Sequence, residues 1–89
     1  MKPTIGIVWG RIVDHQGAVF RQVRGKEFTY RVYGGAVTPS TTNRMLPRSD
    51  FARALELVPL RGPGEIQHLQ GPSFIYAILM DSRIRSGDW

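Results

Sequence analysis

The chain has 89 residues, of which 42% are hydrophobic and 21% are charged, a balance typical of one small folded domain. It contains no cysteine, which excludes disulfide scaffolds, thiol catalysis and zinc sites that use sulfur. The longest apolar run, residues 74–80, is far shorter than the roughly 20 residues that span a bilayer. No signal-peptide pattern follows Lys2, so we expect a cytoplasmic protein without a membrane segment.

The formal net charge is +5, and the excess lies in the first half of the chain. Residues 1–48 carry eight cationic and two acidic side chains, whereas residues 49–89 carry four and five. Ten of the twelve cations are arginines, whose planar guanidinium suits phosphate and stacks on flat rings. The asymmetry indicates an anionic partner, and the alternative is a basic surface that is simply solvated.

Short segments of alternating apolar residues, separated by turns that contain glycine, predict an antiparallel meander in residues 1–42. The candidate strands are residues 5–13, 18–24, 27–33 and 36–41. The turns between them have the residues that tight hairpins need, at residues 15–17, 25–26 and 34–35. This half of the chain is therefore predicted to form the sheet.

A two-residue turn at 25–26 would fix which side chains share a face of that sheet. In this register Val23 lies opposite Phe28, and Phe20 lies opposite Arg31. The predicted core face consists of Val19, Val23, Phe28, Tyr30, Val32 and Val37, with Arg21 as an exception. The predicted solvent face consists of Phe20, Gln22, Arg24, Glu27, Thr29, Arg31 and Tyr33.

The apolar period changes near residue 43 and indicates helices in residues 43–89. An apolar stripe predicts a helix over 50–58, formed by Phe51, Ala54, Leu55 and Val58. Ser49 is its expected N-cap and Pro59 its end. Residues 65–70 predict one or two helical turns, and Gly71 with Pro72 introduces a second helix over 73–83.

These segments predict one α+β domain, residues 1–89, in two layers. An N-terminal antiparallel sheet of three to four strands, residues 1–42, packs against two or three C-terminal helices, residues 43–89. Trp89 either folds back onto the core or stays loose at the chain end.

Rings and cations on one sheet face are the arrangement that single-stranded nucleic acid requires. Phe20 and Tyr33 would stack on unpaired bases. Phosphate contacts are assigned to Arg24, Lys26, Arg31, Arg44 and Arg48. The main prediction is a non-catalytic domain that binds RNA or single-stranded DNA. The alternative for Phe20 and Arg31 is a cross-strand contact with no ligand.

The helix over 73–83 is apolar on more than one face, which a small two-layer domain can hardly bury alone. This pattern supports the alternative function, a homodimer or regulatory scaffold with an interface of Phe74, Tyr76, Met80 and Trp89. It also argues against a helix-turn-helix DNA reader, because the start of a recognition helix needs polar side chains.

Catalysis has the weakest support in the sequence. A metal-independent ribonuclease with His15 and His68 as acid and base is the third candidate, but nothing in the pattern brings the two histidines together. The seven carboxylates and two histidines lack the spacing of metal ligands, and no phosphate-binding glycine motif is present. We therefore expect no metal and no cofactor.

Overall fold

The computed structural model describes residues 2–89. One helix comes first in the chain, five short strands follow it, and the other helices come after the strands. The helices are α1 (Ile5–Asp14), α2 (Arg48–Leu55), α3 (Pro72–Leu79) and α4 (Ser82–Arg85), with a 3₁₀ helix at Pro63–Ile66. The strands are β1 (Phe20–Arg21), β2 (Glu27–Phe28), β3 (Tyr30–Tyr33), β4 (Ala36–Pro39) and β5 (Leu46–Pro47). The first two strands form one antiparallel sheet, and β3, β4 and β5 form a second in that order. The predicted α+β class is confirmed.

Residues 5–13, predicted as the first strand, form helix α1 instead. Val8, Trp9 and Ile12 are buried along one side of it, at the spacing of a helical face. The β-branched residues of this segment favour a strand by propensity, but packing of the buried side against α2 and α4 outweighs that preference. The prediction was wrong because a short apolar run does not by itself distinguish a helix from a strand.

The hairpin of β1 and β2 has a different register from the predicted one. Phe20 pairs with Phe28, and Arg21 pairs with Glu27, so residues 22–26 form the loop. The first backbone N–H of this loop donates to its last carbonyl oxygen at 2.9 Å, which closes the turn. The predicted two-residue turn was therefore too short, and the pairing that it implied was wrong.

The new register exchanges side chains between the core and the surface. Phe20 is 1% exposed, whereas Val19 and Val23, predicted in the core, are 51% and 63% exposed. The Phe20 ring packs against the Tyr30 ring, with 5.2 Å between their centroids. Arg21, the exception on the predicted core face, is exposed. This is the expected consequence of a register change, because the side-chain period of a strand is two.

The hairpin of β3 and β4 has the predicted two-residue turn. Tyr33 pairs with Ala36 across Gly34 and Gly35, and Gly34 has a φ of 58°, in the left-handed region that glycine adopts at little cost. Strand β5 lies beside β4, although its residues belong to the half of the chain that was predicted to be helical. The second sheet is thus built from residues 30–47.

All four side chains of the apolar stripe predicted for the first C-terminal helix are buried: Phe51, Ala54, Leu55 and Val58. Helix α2 ends at Leu55 rather than before Pro59, however, so Val58 lies beyond it. Helix α2 begins two residues earlier than predicted, with Pro47 rather than Ser49 at its N-cap. Helix α3 begins at Pro72, one residue before the predicted start. The helix predicted over 73–83 is divided, because the Asp81 side chain accepts the backbone N–H of Arg83 at 2.9 Å and caps a new helix, α4.

The buried side chains of helices and strands form one continuous cluster. The tail returns to this cluster, where the Trp89 indole N–H donates to the Leu79 carbonyl oxygen at 2.9 Å. Asp50 is the buried charged residue of α2, and its carboxylate accepts the backbone N–H of Gln70 at 2.9 Å. Within residues 2–89, no helix has the length and apolar character needed to cross a bilayer.

Candidate nucleic-acid interface

The cationic side chains fall into groups according to their partners. Four arginines form ion pairs, Arg11 with Asp88, Arg21 with Glu27, Arg53 with Asp50 and Arg83 with Asp81. The five predicted phosphate contacts are all exposed and form no ion pair with any carboxylate of residues 2–89: Arg24, Lys26, Arg31, Arg44 and Arg48. We call these five the unpaired cations. Their charge is available to an external anion.

Three further cations complete the set. Lys2 donates to the carbonyl oxygens of Leu55 and Glu56 at the end of α2, at 3.2 and 2.9 Å. Arg85 donates to the carbonyl oxygen of Trp89 and holds the tail. Arg61 is exposed and forms no ion pair within residues 2–89, so it resembles the unpaired cations. The sequence reasoning missed Arg61 because it looked for cations near the predicted sheet.

The register of the second sheet places Arg31 and Tyr33 on its solvent side. Arg31 lies opposite Thr38, and Tyr33 lies opposite Ala36, which in turn lies opposite Pro47. Opposite residues share a face, so these five form the outer sheet face. Tyr33 is 64% exposed and provides its aromatic ring. The predicted positions of Arg31 and Tyr33 on the solvent side are confirmed.

Arg31 is held beside the end of α1. The backbone N–H of Gly17 donates to the Tyr30 carbonyl oxygen at 3.1 Å, and the backbone N–H of Val32 donates to Gln16 Oε1 at 2.7 Å. These bonds cover the free edge of β3 and fix the backbone on both sides of Arg31. Its guanidinium lies along Gly17, where a Cβ atom would be 3.6 Å from Arg31 Nη1.

Arg48 and Arg44 flank the outer sheet face at its two ends. The backbone N–H of Arg48 donates to the Gly35 carbonyl oxygen at 2.8 Å, so Arg48 lies at the end with the β3–β4 turn. Its guanidinium lies 5.9 Å from the centre of the Trp9 ring. Arg44 is in the loop between β4 and β5, at the other end of the sheet. The two residues therefore lie at opposite ends of the sheet, and Tyr33 is at the same end as Arg48.

Arg24 and Lys26 lie in the β1–β2 loop, which belongs to the other sheet. The predicted continuous face is therefore divided between two sheets, which join where β2 leads into β3 through Thr29. Lys26 and Arg31 are five residues apart in the chain, so their Cα atoms are separated by at most about 18 Å. Of the unpaired cations, Arg31 thus lies on the outer sheet face, and the others lie at the ends of that sheet or in the β1–β2 loop.

Phe20 is the predicted base-stacking residue that the structure removes from the surface. Its buried ring has no open face for a base. The Arg83 guanidinium covers this ring at 4.1 Å from the centroid, in place of the cross-strand contact with Arg31 that the sequence suggested as an alternative. Arg83 also donates to the Val19 carbonyl oxygen at 2.7 Å and pairs with Asp81. The cation–π contact therefore joins α4 to β1 and serves the fold.

Asp81, Arg83 and Tyr30 have perturbed pKa values. Burial alone would raise the pKa of Asp81, but hydrogen bonds from the side chain and the backbone N–H of Arg83 outweigh it and lower that pKa. Burial raises the pKa of Tyr30, whose hydroxyl donates to the Ile12 carbonyl oxygen at 2.6 Å. Near neutral pH the carboxylate stays charged and the phenol stays neutral, so both groups act as structural contacts.

Replacing Asp81 by asparagine is expected to destabilise the protein by about 1 kcal/mol at pH 7. Because the folded pKa of Asp81 lies below its unfolded value, its contribution is present above the unfolded pKa and is lost as pH falls through the folded one. Urea denaturation of both proteins at pH 7 and about pH 2.5 should show a smaller difference at the lower pH, which lies below the unfolded pKa. Asp14→Asn, at an exposed position, is the control and should change little. An equal difference at both pH values would contradict the charge contribution.

The residues of the predicted protein interface are half-buried and pack against the core: Phe74, Tyr76, Met80 and Trp89. Helix α3 contacts α2, α4, β1 and the 3₁₀ helix, which together cover it more fully than a two-layer arrangement would. The large aliphatic side chains that are exposed lie outside this predicted interface, and the sequence analysis did not identify them as exposed: Ile7, Val13, Val19, Val23, Met45 and Leu57.

The two histidines lie on different elements, and no hydrogen bond joins them. His15 follows α1, with Nδ1 at 2.7 Å from the Arg11 carbonyl oxygen, whereas His68 is exposed after the 3₁₀ helix. In the described part of the chain, residues 2–89, no three His, Asp or Glu side chains are grouped so that they could hold a metal ion. The ribonuclease candidate therefore gains no support from the geometry.

Among the surface cavities are two of several hundred Å³. One, of about 500 Å³, is lined by Gln22, Val23, Arg24, Pro63 and Ser73. The other, of about 410 Å³, is lined by Lys2, Pro3, Ile5, Ala52, Leu55 and Glu56. The first contains one of the unpaired cations. Neither was visible in the sequence, because each is formed by residues distant in the chain.

The fold and this surface define a small α+β domain that carries unpaired cations on the outer sheet face and the loops beside it. Comparisons with protein-family models, curated proteins and solved structures give no significant match to the chain.

Proposed function

We propose that this chain is a non-catalytic domain that binds RNA or single-stranded DNA. The observation that supports the proposal is the exposure of the five unpaired cations, a property that Arg61 shares, in a chain where four other arginines pair with carboxylates. Four of these five are arginines, and their planar guanidinium groups match the oxygen geometry of phosphate. An anionic backbone with regularly spaced phosphates is the ligand that several separate cations fit.

A single strand fits the surface better than a duplex because of the exposed ring at Tyr33. A tyrosine on a sheet face stacks on a base only when that base is not enclosed in a double helix. In this proposal one base stacks on Tyr33, and Phe20 has no part in binding. Phosphate neutralisation therefore supplies more of the affinity than stacking does, and binding should depend strongly on salt.

The test is fluorescence anisotropy of labelled single-stranded RNA, single-stranded DNA and duplex DNA of equal length, at two salt concentrations. The expected result is binding in about the micromolar range at low salt, weaker at high salt and tighter for the single strands than for the duplex. Absence of binding to all three at low salt would contradict the proposal. Light scattering of the same sample gives the oligomeric state, since a homodimer or protein partner stays a prediction, as does a cytoplasmic location.

Replacing Tyr33 by leucine is expected to weaken single-stranded RNA binding by about 5- to 100-fold, the range for loss of one stacked base. Duplex binding should change much less, because phosphate contacts do not need the ring. Tyr33 is 64% exposed, so the substitution should leave the fold intact. Tyr33→Phe keeps the ring and should bind like the original protein. Equal losses for RNA and duplex in Tyr33→Leu would rule out stacking at this position.

A further inference from the structure

The cavity of about 500 Å³ lies between the β1–β2 loop and the start of α3. Its size falls within the range of small-molecule sites, about 300–1,000 Å³. It is formed by residues 22–24 on one side and by Pro63 and Ser73 on the other. None of these residues belongs to the outer sheet face, so the cavity is a separate place on the surface.

The lining of the cavity combines three chemical features. Val23, which is 63% exposed, and Pro63 supply apolar surface. Gln22 Nε2 donates to Ser73 Oγ at 3.0 Å, which leaves the second Nε2 hydrogen, the side-chain oxygen Gln22 Oε1 and the Ser73 hydroxyl hydrogen for a ligand. Arg24 is exposed, without an ion pair in residues 2–89, and supplies positive charge.

We propose that this cavity binds one nucleotide unit. The base contacts Val23 and Pro63, its polar edge faces Gln22 and Ser73, and its phosphate binds Arg24. A purely apolar ligand would leave the amide and the guanidinium without partners, and an inorganic anion would leave the apolar wall unused. A nucleotide has a flat ring, hydrogen-bonding groups at the edge of that ring and a phosphate close by, which together match the lining.

This inference rests on the proposed function, because the nucleotide is taken as part of the bound strand. Lys26 continues the positive charge from Arg24 along the same loop, and the chain then leads through β2 to Arg31. Arg24 at the cavity and Arg31 on the outer sheet face are seven residues apart, so their Cα atoms are separated by at most about 25 Å, a span that a few nucleotides of the strand can cover. Two linked sites of this kind increase the overall affinity for the strand, because binding at one site raises the local concentration of the strand at the other.

The first test titrates the ¹⁵N-labelled protein with adenosine 5′-monophosphate, uridine 5′-monophosphate and inorganic phosphate in separate NMR experiments. The two nucleotides are expected to shift the amide signals of residues 22–24 and Ser73, and to leave those of residues 36–38 unchanged. Inorganic phosphate should bind at least about tenfold more weakly, since it has no base. No shift from either nucleotide, or equal affinity for phosphate alone, would overturn the inference.

The second test compares Val23→Asp with Val19→Asp. Both positions are exposed, both changes lower the net charge by one, and only Val23 lines the cavity. Val23→Asp should weaken nucleotide binding by about tenfold or more, because a carboxylate then competes for Arg24, and Val19→Asp should change it less than about twofold. Similar effects of the two changes would overturn the inference.

Single-stranded RNA binding by the same variants separates the two proposals. If the original protein binds no RNA but binds the nucleotides, the proposed function fails and the cavity is a site for free nucleotides. If RNA binding is weakened by Arg31→Ala and is the same in Val23→Asp as in Val19→Asp, the inference fails and the proposed function stands. Weakening by both Arg31→Ala and Val23→Asp supports the two together.

Discussion

Replacing Gly71 by alanine is expected to destabilise the protein by about 2–4 kcal/mol, a large part of the stability of a chain of this length. Gly71 has a φ of 56°, a left-handed conformation that costs an L-residue about 1 kcal/mol or more. A Cβ atom there would lie 2.6 Å from Leu46 Cδ2. Leu46 is fully buried at the start of β5, so its side chain has little room to move away. The two effects add, because one acts on the backbone and the other on packing.

Gly10→Ala is the matched control and should have the opposite sign. Gly10 lies within α1, its φ is not in the left-handed region, and no heavy atom beyond its chain neighbours and the nearby α1 backbone lies within 4 Å of an added Cβ. Alanine is the better helix former there by about 0.5–1 kcal/mol. Urea denaturation with unchanged m-values would measure both effects. A Gly71→Ala protein as stable as the original would contradict the close approach of α3 to β5.

The parts of the fold that depend on neighbouring residues were predictable from the sequence. The stripe of Phe51, Ala54 and Leu55 needs only a helical period, and Pro72 after Gly71 is a local signal for the start of a helix. The turn at residues 34–35 is equally local, because two glycines accept the backbone angles of a tight hairpin. In each case the physical cause lies within a few residues of its effect.

The parts that depend on distant contacts were not predictable. Helix α1 is stabilised by burial against α2 and α4, more than 30 residues later in the chain. The length of the loop at residues 22–26 decides whether Phe20 or Val19 is buried, and tertiary packing against Arg83 and Tyr30 decides that length. Strand propensity and the alternation of apolar residues fit the register that buries Phe20 and the register that buries Val19 equally well, so neither property predicts which one forms.

In the candidate site too, the features set by nearby residues were predictable and the features set by distant contacts were not. Exposure of the five unpaired cations was predictable, because lysine and arginine are rarely fully buried unless they are paired. The second stacking ring was lost with the register of β1. The cavity beside Arg24 could not be predicted, since Pro63 and Ser73 reach the β1–β2 loop only after the chain has folded.

Removing two unpaired cations, in Arg31→Ala with Arg44→Ala, is expected to lower the affinity for single-stranded RNA by about 10- to 100-fold at low salt. Each phosphate contact on a single strand contributes about 0.7 to the slope of log affinity against log salt concentration. The double variant should therefore have a slope that is shallower by about 1.4. Anisotropy titrations at four or five salt concentrations measure the affinity and the slope together.

The control for this pair is Arg21→Ala with Arg53→Ala, which removes the same charge. Arg21 pairs with Glu27 at 2.8 Å, and Arg53 lies 3.9 Å from Asp50, so neither guanidinium is available to phosphate in the way that Arg31 and Arg44 are. The control should lose less than about threefold in affinity and keep most of its salt slope, and the exposed Arg21–Glu27 pair contributes at most about 1 kcal/mol to stability. Equal losses in the two double variants would mean that net charge alone governs binding. The outer sheet face would then have no special role, because a specific phosphate site must distinguish an unpaired arginine from a paired one.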